Sequence, residues 1–230
     1  MTSDHEFSLP IFPLETVLLF PTVNVPLFIF EPRYRQMTRD ALKGSRKLGM
    51  VTAVPSAGLD MSGEPAVFDI GCEGQITAAE EQSDGTFKLV LSGTQRFRIL
   101  AEIPPSDDRI YRLARALPLP EQSDDEASTR LNGRRETLNA LLQKFVLAGN
   151  PHSEVEAREV QNSIEGLNQL DDHCFGHLLS QKIDFGVLEK QRLLETHNNL
   201  DRYEMLELLL RFQIALLEAP TRSAGPNLLQ

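Results

Sequence analysis

The chain has 230 residues, 41% apolar and 24% charged, with a net charge of −10 and two cysteines. That length and composition suit one globular unit or two subdomains whose core needs no disulfide or metal staple, and no apolar run approaches the roughly 20 residues of a membrane-spanning helix. The acidic balance argues against a protein that tracks nucleic-acid phosphates, since such affinity comes mostly from Lys and Arg. The excess is uneven: residues 1–118 carry 12 basic and 15 acidic side chains, whereas residues 119–230 carry 11 and 18.

At the N-terminus, Asp4 and Glu6 stand where a secretory signal needs basic residues, and Pro10 and Pro13 interrupt the apolar stretch that follows. The expected compartment is therefore cytoplasmic. From Ser8 the chain reads as short Val/Leu/Ile/Phe strands cut by Pro10, Pro13, Pro21 and Pro26. Proline lacks the ladder N–H, which confines these runs to short or edge strands. The grammar changes at Glu31-Pro32. Pro32 has the preset φ of a first helical position, and Tyr34, Met37, Thr38, Ala41 and Leu42 recur at helical spacing up to Gly44. A strand follows at 47–54.

From Pro65 to Leu119 the pattern is again β. Asp84-Gly85 reads as a hairpin turn. Phe87, Leu89 and Leu91 alternate on one side of the next strand. Phe97, Ile99, Ala101 and Ile103 alternate beyond it, with Arg96, Arg98 and Glu102 on the opposite, wet face. Gly71 and Gly93 are placed as bulge or close-approach points, and Pro104 to Asp108 reads as a loop. The stretch Leu117–Ser128, with two prolines and a run of acids, marks the boundary between subdomains 1–118 and 119–230.

Beyond it the period is helical. Leu131, Leu138, Leu141, Leu142 and Phe145 fit a long helix ending near Gly149-Asn150-Pro151. Further helices open at Ser153-Glu154, at Asp171-Asp172, at Val187 and at about Asn199. In the last one, Met205, Leu208, Leu209, Phe212 and Leu216 form a wide apolar face opposite Glu204, Glu207, Arg211 and Glu218. The tail from Ala219 to Gln230 reads as frayed.

The strings LPIFPL, VLLFP, PLFIFEPRYRQM and GMV, then DIGCEGQI and KLVLSGTQRFRIL, then LLSQKIDFGVLEKQRLLETHNNLDRYEMLELLL resemble the N-terminal, substrate-binding domain of Lon proteases. The resemblance spans roughly residues 8–218 and is faint at 120–170. It also reaches the Lon-like domain of cereblon-type ubiquitin-ligase receptors, although their cysteine-rich zinc domain has no counterpart here. It implies an α+β fold: a PUA-like β-barrel with one main helix, followed by an all-α helical bundle.

A full Lon protease continues into an ATPase and a Ser-Lys peptidase. The dipeptide Gly-Lys never occurs in this chain, so it holds no P-loop. What transfers is therefore binding and not proteolysis, and the chain reads as a stand-alone, non-catalytic module. No other catalytic constellation emerges. Ser92, Ser163 and Ser180 lack a nucleophile elbow, and Cys72 sits within a strand. Glu80-Glu81 and Asp107-Asp108 read as solvated turns. Asp172, His173, Cys174 and His177 lie close along one helix, with the histidines at i and i+4, but no third ligand stands at a recognisable spacing. His5, His152 and His197 read as surface residues. No metal or other cofactor is expected.

Apolar surface remains. Phe20, Pro21, Val23, Pro26, Leu27, Phe28 and Phe30 exceed what a short strand pair needs. Phe20, Leu27, Phe30 and Tyr34 are the candidate contacts for an unfolded or partner polypeptide, with the chain acting as an adaptor in protein quality control, alongside a separate protease. The competing reading is RNA or small-ligand binding through Arg33, Arg35, Arg96 and Arg98, which the acidity disfavours.

Overall fold

The computed structural model describes residues 5–55, 64–121, 128–149 and 165–219, with positions 158 and 162. Six strands come first: β1 (Phe7–Leu14), β2 (Asn24–Ile29), β3 (Lys47–Thr52), β4 (Ile70–Glu81), β5 (Phe87–Ile103) and β6 (Leu113–Pro118), with helix α1 (Pro32–Lys43) between β2 and β3. The helices α2 (Ser128–Ala148), α3 (Asp172–Lys182), α4 (Val187–Glu195) and α5 (Asn199–Glu218) follow. Ser153-Glu154, the expected opening of a helix, and the tail beyond Ala219 lie outside the described residues; positions 158, 162 and 165–167 are helical.

The sheet order is β2-β5-β4-β3-β1-β6, and a further β5–β6 pairing closes five strands into a barrel. The 17-residue β5 makes closure possible. Its first half pairs with β2, and its second half, Phe97–Ile103, pairs with β6. The side chains of Leu9, Ile11, Val51, Phe97, Ala114 and Ala116 fill the lumen. Gly49 and Gly71 make room for the Phe97 ring, because a Cβ at either would lie 2.8 Å from its Cζ. Gly93 is the expected close-approach point, since a Cβ there would sit 2.0 Å from the Phe20 carbonyl oxygen. The Glu73/Gly74 register shift in the β4–β5 ladder falls opposite it.

One expectation about proline fails instructively. β1 is an interior strand, despite Pro10 and Pro13. Its ladder to β6 covers residues 7–10 and its ladder to β3 covers 11–14. Ile11 N–H donates to the Arg112 carbonyl on the β6 side, and the Leu14 carbonyl accepts from Ala53 N–H on the β3 side. Peptide groups alternate sides along a strand. The nitrogen of Pro10 therefore faces β3 before that ladder begins, and the nitrogen of Pro13 faces β6 after that ladder has ended. Each proline lies where no ladder bond is lost.

α1 starts at Pro32 and buries Tyr34, Met37, Thr38 and Ala41 against the barrel. Each large apolar side chain so buried contributes about 1.5–3 kcal/mol. The Asp84-Gly85 hairpin forms as expected, with Gly85 at φ 78° and the Asp84 carboxylate accepting from the Thr86 N–H and hydroxyl. Glu80 and Glu81, expected in a solvated turn, are instead the exposed end of β4, where Glu81 pairs with Arg39 at 2.7 Å.

A second, larger core runs without interruption from β2, α1 and the outer face of the barrel into α2, α3, α4 and α5. α5 turns Tyr203, Leu206, Leu210 and Ile214 into it. The apolar face expected on that helix is thus corrected: Leu208, Phe212 and Leu216 are exposed. The helix is apolar on most sides, so period alone did not reveal which stripe meets α2.

Candidate polypeptide-binding groove and the junction behind it

β2 is an edge strand. Its register against β5 pairs Val25 with Leu91, Leu27 with Leu89 and Ile29 with Phe87 on the core side, and Pro26 with Val90 and Phe28 with Lys88 on the outer side. Alongside lies a cleft of about 580 Å³ lined by Pro26, Leu27, Phe28, Ala78, Ala79, Glu80, Lys88, Leu89 and Val90. Its polar residues Glu80 and Lys88 face each other in register. Phe28 and Phe30 are 55% and 61% exposed, and their rings stack with centroids 6.2 Å apart. Exposed stacked aromatics beside an apolar cleft are a low-entropy contact surface for apolar side chains.

Of the four expected contact residues, two belong to this surface. Phe30 is on it, and the half-buried Leu27 lines the cleft. Phe20 and Tyr34 are corrected to core residues, at 0% and 5% exposure. Phe20 is sandwiched at the junction with α3, where its N–H donates to Gln181 Oε1. Tyr34 faces inward from α1 onto Phe12, at 4.5 Å between ring centroids, and burial raises its phenol above the ordinary value. Phe28, which the sequence offered only as part of the apolar run, shares the exposed surface with Phe30.

The open edge of β2 is poorly suited to strand addition. Gly93 N–H donates to the Val23 carbonyl, and Gln82 N–H to the Thr86 carbonyl. Alternation from these anchors turns the peptide groups of Phe87, Leu89 and Leu91 toward β2. Those of Asn24, Pro26 and Phe28 then face the open edge, and Pro26, at its centre, has no N–H to give. Side-chain packing in the cleft, tolerant of sequence, is what this edge offers a ligand.

Apart from the groove, a buried polar network joins barrel to helices. Glu121, just after β6, lies 2.9 Å from His177 Nε2, 2.6 Å from His173 Nδ1 and 2.5 Å from Arg202 Nη2, with Arg96 Nη2 at 3.9 Å. Arg96 also donates to the Leu194 carbonyl at 2.7 Å and to that of Thr196. Arg96, read from the sequence as a wet-face residue, is 2% exposed, and Arg202 is 0%. Burial and the neighbouring Arg202 push the Arg96 guanidinium down to about 10. Burial alone would raise the Glu121 carboxyl, but the His177 hydrogen bond and the Arg202 charge hold it well below the usual range. Burial lowers His177, against the opposing pull of Glu121. Gln181 and Gln191 bridge the same interface, donating to the Leu18 and Ile70 carbonyls at 3.0 Å each.

The histidine pair weighed for metal thus holds a carboxylate. Among the described residues, no cluster of three or more His, Cys, Asp or Glu is arranged to hold a metal ion. The four arginines of the competing reading do not share a surface. Arg33 pairs with Glu31, Arg35 donates to the Asp84 carbonyl, and Arg96 is buried. Of the serines and cysteines weighed as nucleophiles, Ser180 donates to the Gly176 carbonyl and burial pushes the Cys72 thiol up. Ser163 and His152 lie outside the described residues. Among the described residues, no helix is long and apolar enough to cross a membrane.

A closed barrel with one main helix, continuous with a second half that is all-α among the described residues, defines a PUA-like α+β domain. The chain belongs to the family of the ATP-dependent protease La (LON) substrate-binding domain, whose model matches residues 8–211. It is 26% identical over 214 residues to the Lon protease of Cytophaga hutchinsonii, covering 91% of this chain and 25% of that protein. It is 24% identical over 219 residues to the Lon protease of Escherichia coli K12, covering 95% and 26% respectively. The chain thus spans about a quarter of the length of these relatives. In fold it is similar to the Lon N-terminal domain protein from Xanthomonas campestris (TM-score 0.58, 23% identity, covering 87% of this chain and 96% of that one). It is likewise similar to the N-terminal domain of Mycobacterium avium complex Lon protease (TM-score 0.67, 19% identity, 89% and 98%).

Proposed function

We propose that this chain is a non-catalytic recognition module that captures polypeptide segments with exposed apolar side chains in the β2 groove, and that it serves as an adaptor handing them to a separate protease in the cytoplasm. The observation that carries this reading is the exposed Phe28–Phe30 stack beside a cleft of about 580 Å³, on an edge whose proline leaves side-chain packing as the means of contact. Membership of a substrate-binding family supports it. In this reading residues 1–118 form the subdomain that carries the groove, and residues 119–230 form a helical subdomain that buttresses it.

The test is capture of a permanently unfolded polypeptide, reduced and carboxymethylated lactalbumin, followed by fluorescence anisotropy. The double variant Phe28→Ser, Phe30→Ser is expected to bind about tenfold or more weakly, with an unchanged thermal midpoint. Undiminished capture would overturn the assignment. The purified chain is expected neither to hydrolyse ATP nor to cleave casein.

A further inference from the structure

A second concavity lies away from the groove, at one end of the barrel. It measures about 500 Å³ and is lined by Phe7, Leu9, Pro118 and Pro120 on the apolar side, with Lys47, Glu73, Gln95, His5 and Ser45 among its polar members. Glu73 pairs in register with Gly49 of β3 and Gln95 of β5. Side chains two apart share a face of a strand, so Glu73 projects to the same side as Phe97 and Val51, the lumen side. The cleft is therefore the mouth of the lumen, a place where β-barrels commonly take ligands.

Glu73 is an unusual side chain for that position. It is 3% exposed, and an ionised carboxylate so buried is costly unless fully satisfied. Its contacts are the Thr94 hydroxyl at 2.9 Å, Gln95 Nε2 at 3.4 Å and Lys47 Nζ at 2.9 Å, and all three fall on Oε1. Oε2 has no hydrogen-bond partner among the described residues, yet it is not one of the fully buried unsatisfied side-chain atoms, so it keeps some contact with solvent. An apolar residue would extend the packed layer of Leu9, Ile11 and Phe97 at lower cost.

We propose that the lumen mouth is a binding site for a small organic cation: an ammonium or amidinium group that donates to Glu73, on an apolar body held by Phe7, Leu9, Pro118 and Pro120. A charge-assisted hydrogen bond from a cation is the strongest contact open to a buried carboxylate. Lys47, with its side chain 42% exposed, can move its ammonium into water as a ligand cation takes its place. An anionic ligand would meet Glu73 itself.

The probe is benzamidine, titrated into the full chain by calorimetry and by amide chemical shifts, with benzyl alcohol as the uncharged control. Saturable binding is expected, with shifts centred on Phe7, Lys47, Glu73 and Gln95 and not on Phe28. Affinity should fall about tenfold or more in Glu73→Gln and for benzyl alcohol. Ser45→Trp, at the exposed rim, is expected to block binding with an unchanged thermal midpoint, which keeps the test decisive if Glu73→Gln fails to fold. No saturation by about 10 mM, a range where even millimolar affinity registers, would overturn the proposal. So would equal binding of the alcohol, or binding indifferent to Ser45→Trp.

Discussion

Replacing Glu121 by Gln removes the one carboxylate among the described residues that faces His173, His177, Arg202 and Arg96. The amide nearly preserves shape and leaves an acceptor, so what changes is charge. Two guanidiniums at 2% and 0% exposure then sit in the interface without a counter-ion. Removing one partner from a buried ion pair costs about 3–5 kcal/mol, most of it the penalty on the charge left behind. For a chain of this size, each kcal/mol moves the thermal midpoint by about 2–4 °C, so the expected fall is roughly 6–20 °C. Urea unfolding should show the same loss in midpoint with an unchanged slope. Glu204→Gln is the internal control, because its 2.9 Å pair with Arg134 lies between side chains 38% and 43% exposed and is worth at most about 1 kcal/mol. If Glu121→Gln costs no more than Glu204→Gln, the network does not hold the barrel to the helices and the reasoning is refuted.

Acid should weaken the fold in two stages. His177 is held below its ordinary value near 6.5, so the unfolded chain binds the extra proton first, and the stability present above that pH declines as pH falls below it. Glu121, held below its ordinary 4.5, adds a second decline below that value. A flat stability profile between pH 7 and 4 would contradict both shifts. Phe20→Ala should cost about 3–5 kcal/mol, as for a buried aromatic, whereas Phe28→Ala should leave the midpoint in place; thermal melts of the two distinguish core from surface. Gly93→Ala should destabilise by about 3 kcal/mol in urea titrations, because its Cβ meets the Phe20 backbone rather than a movable side chain. A thiol reagent should modify the partly exposed Cys174 before the buried Cys72, and equal rates would contradict the burial of Cys72.

Local chemistry made much of this protein readable in advance. The change of period at Pro32, the Asp84-Gly85 turn, the close-approach role of Gly93 and the shift to helices after β6 each depend on a few adjacent residues, whose sterics act wherever the chain goes. The Gly-x-x-Arg-aromatic-Arg string at 93–98 and the aromatic-proline segment carried the family resemblance for the same reason.

Tertiary structure decided the rest, because burial is a property of pairs. Phe20, Phe28, Phe30 and Tyr34 are chemically similar and close in sequence. Register with β5 turned Phe28 outward, the turn at Thr22 put Phe20 against α3, and the inward face of α1 took Tyr34. Arg96 alternates with Phe97 as a solvated residue should, yet Glu121, Leu194 and Thr196 arrive from distant positions to cover it. Pro10 and Pro13 are compatible with an interior strand only because its two ladders are offset end to end. The sequence determined which segments became strand, turn or helix, since backbone sterics and period are local; which of their faces met protein and which met water depended on register, bulges and docking between residues far apart in the chain.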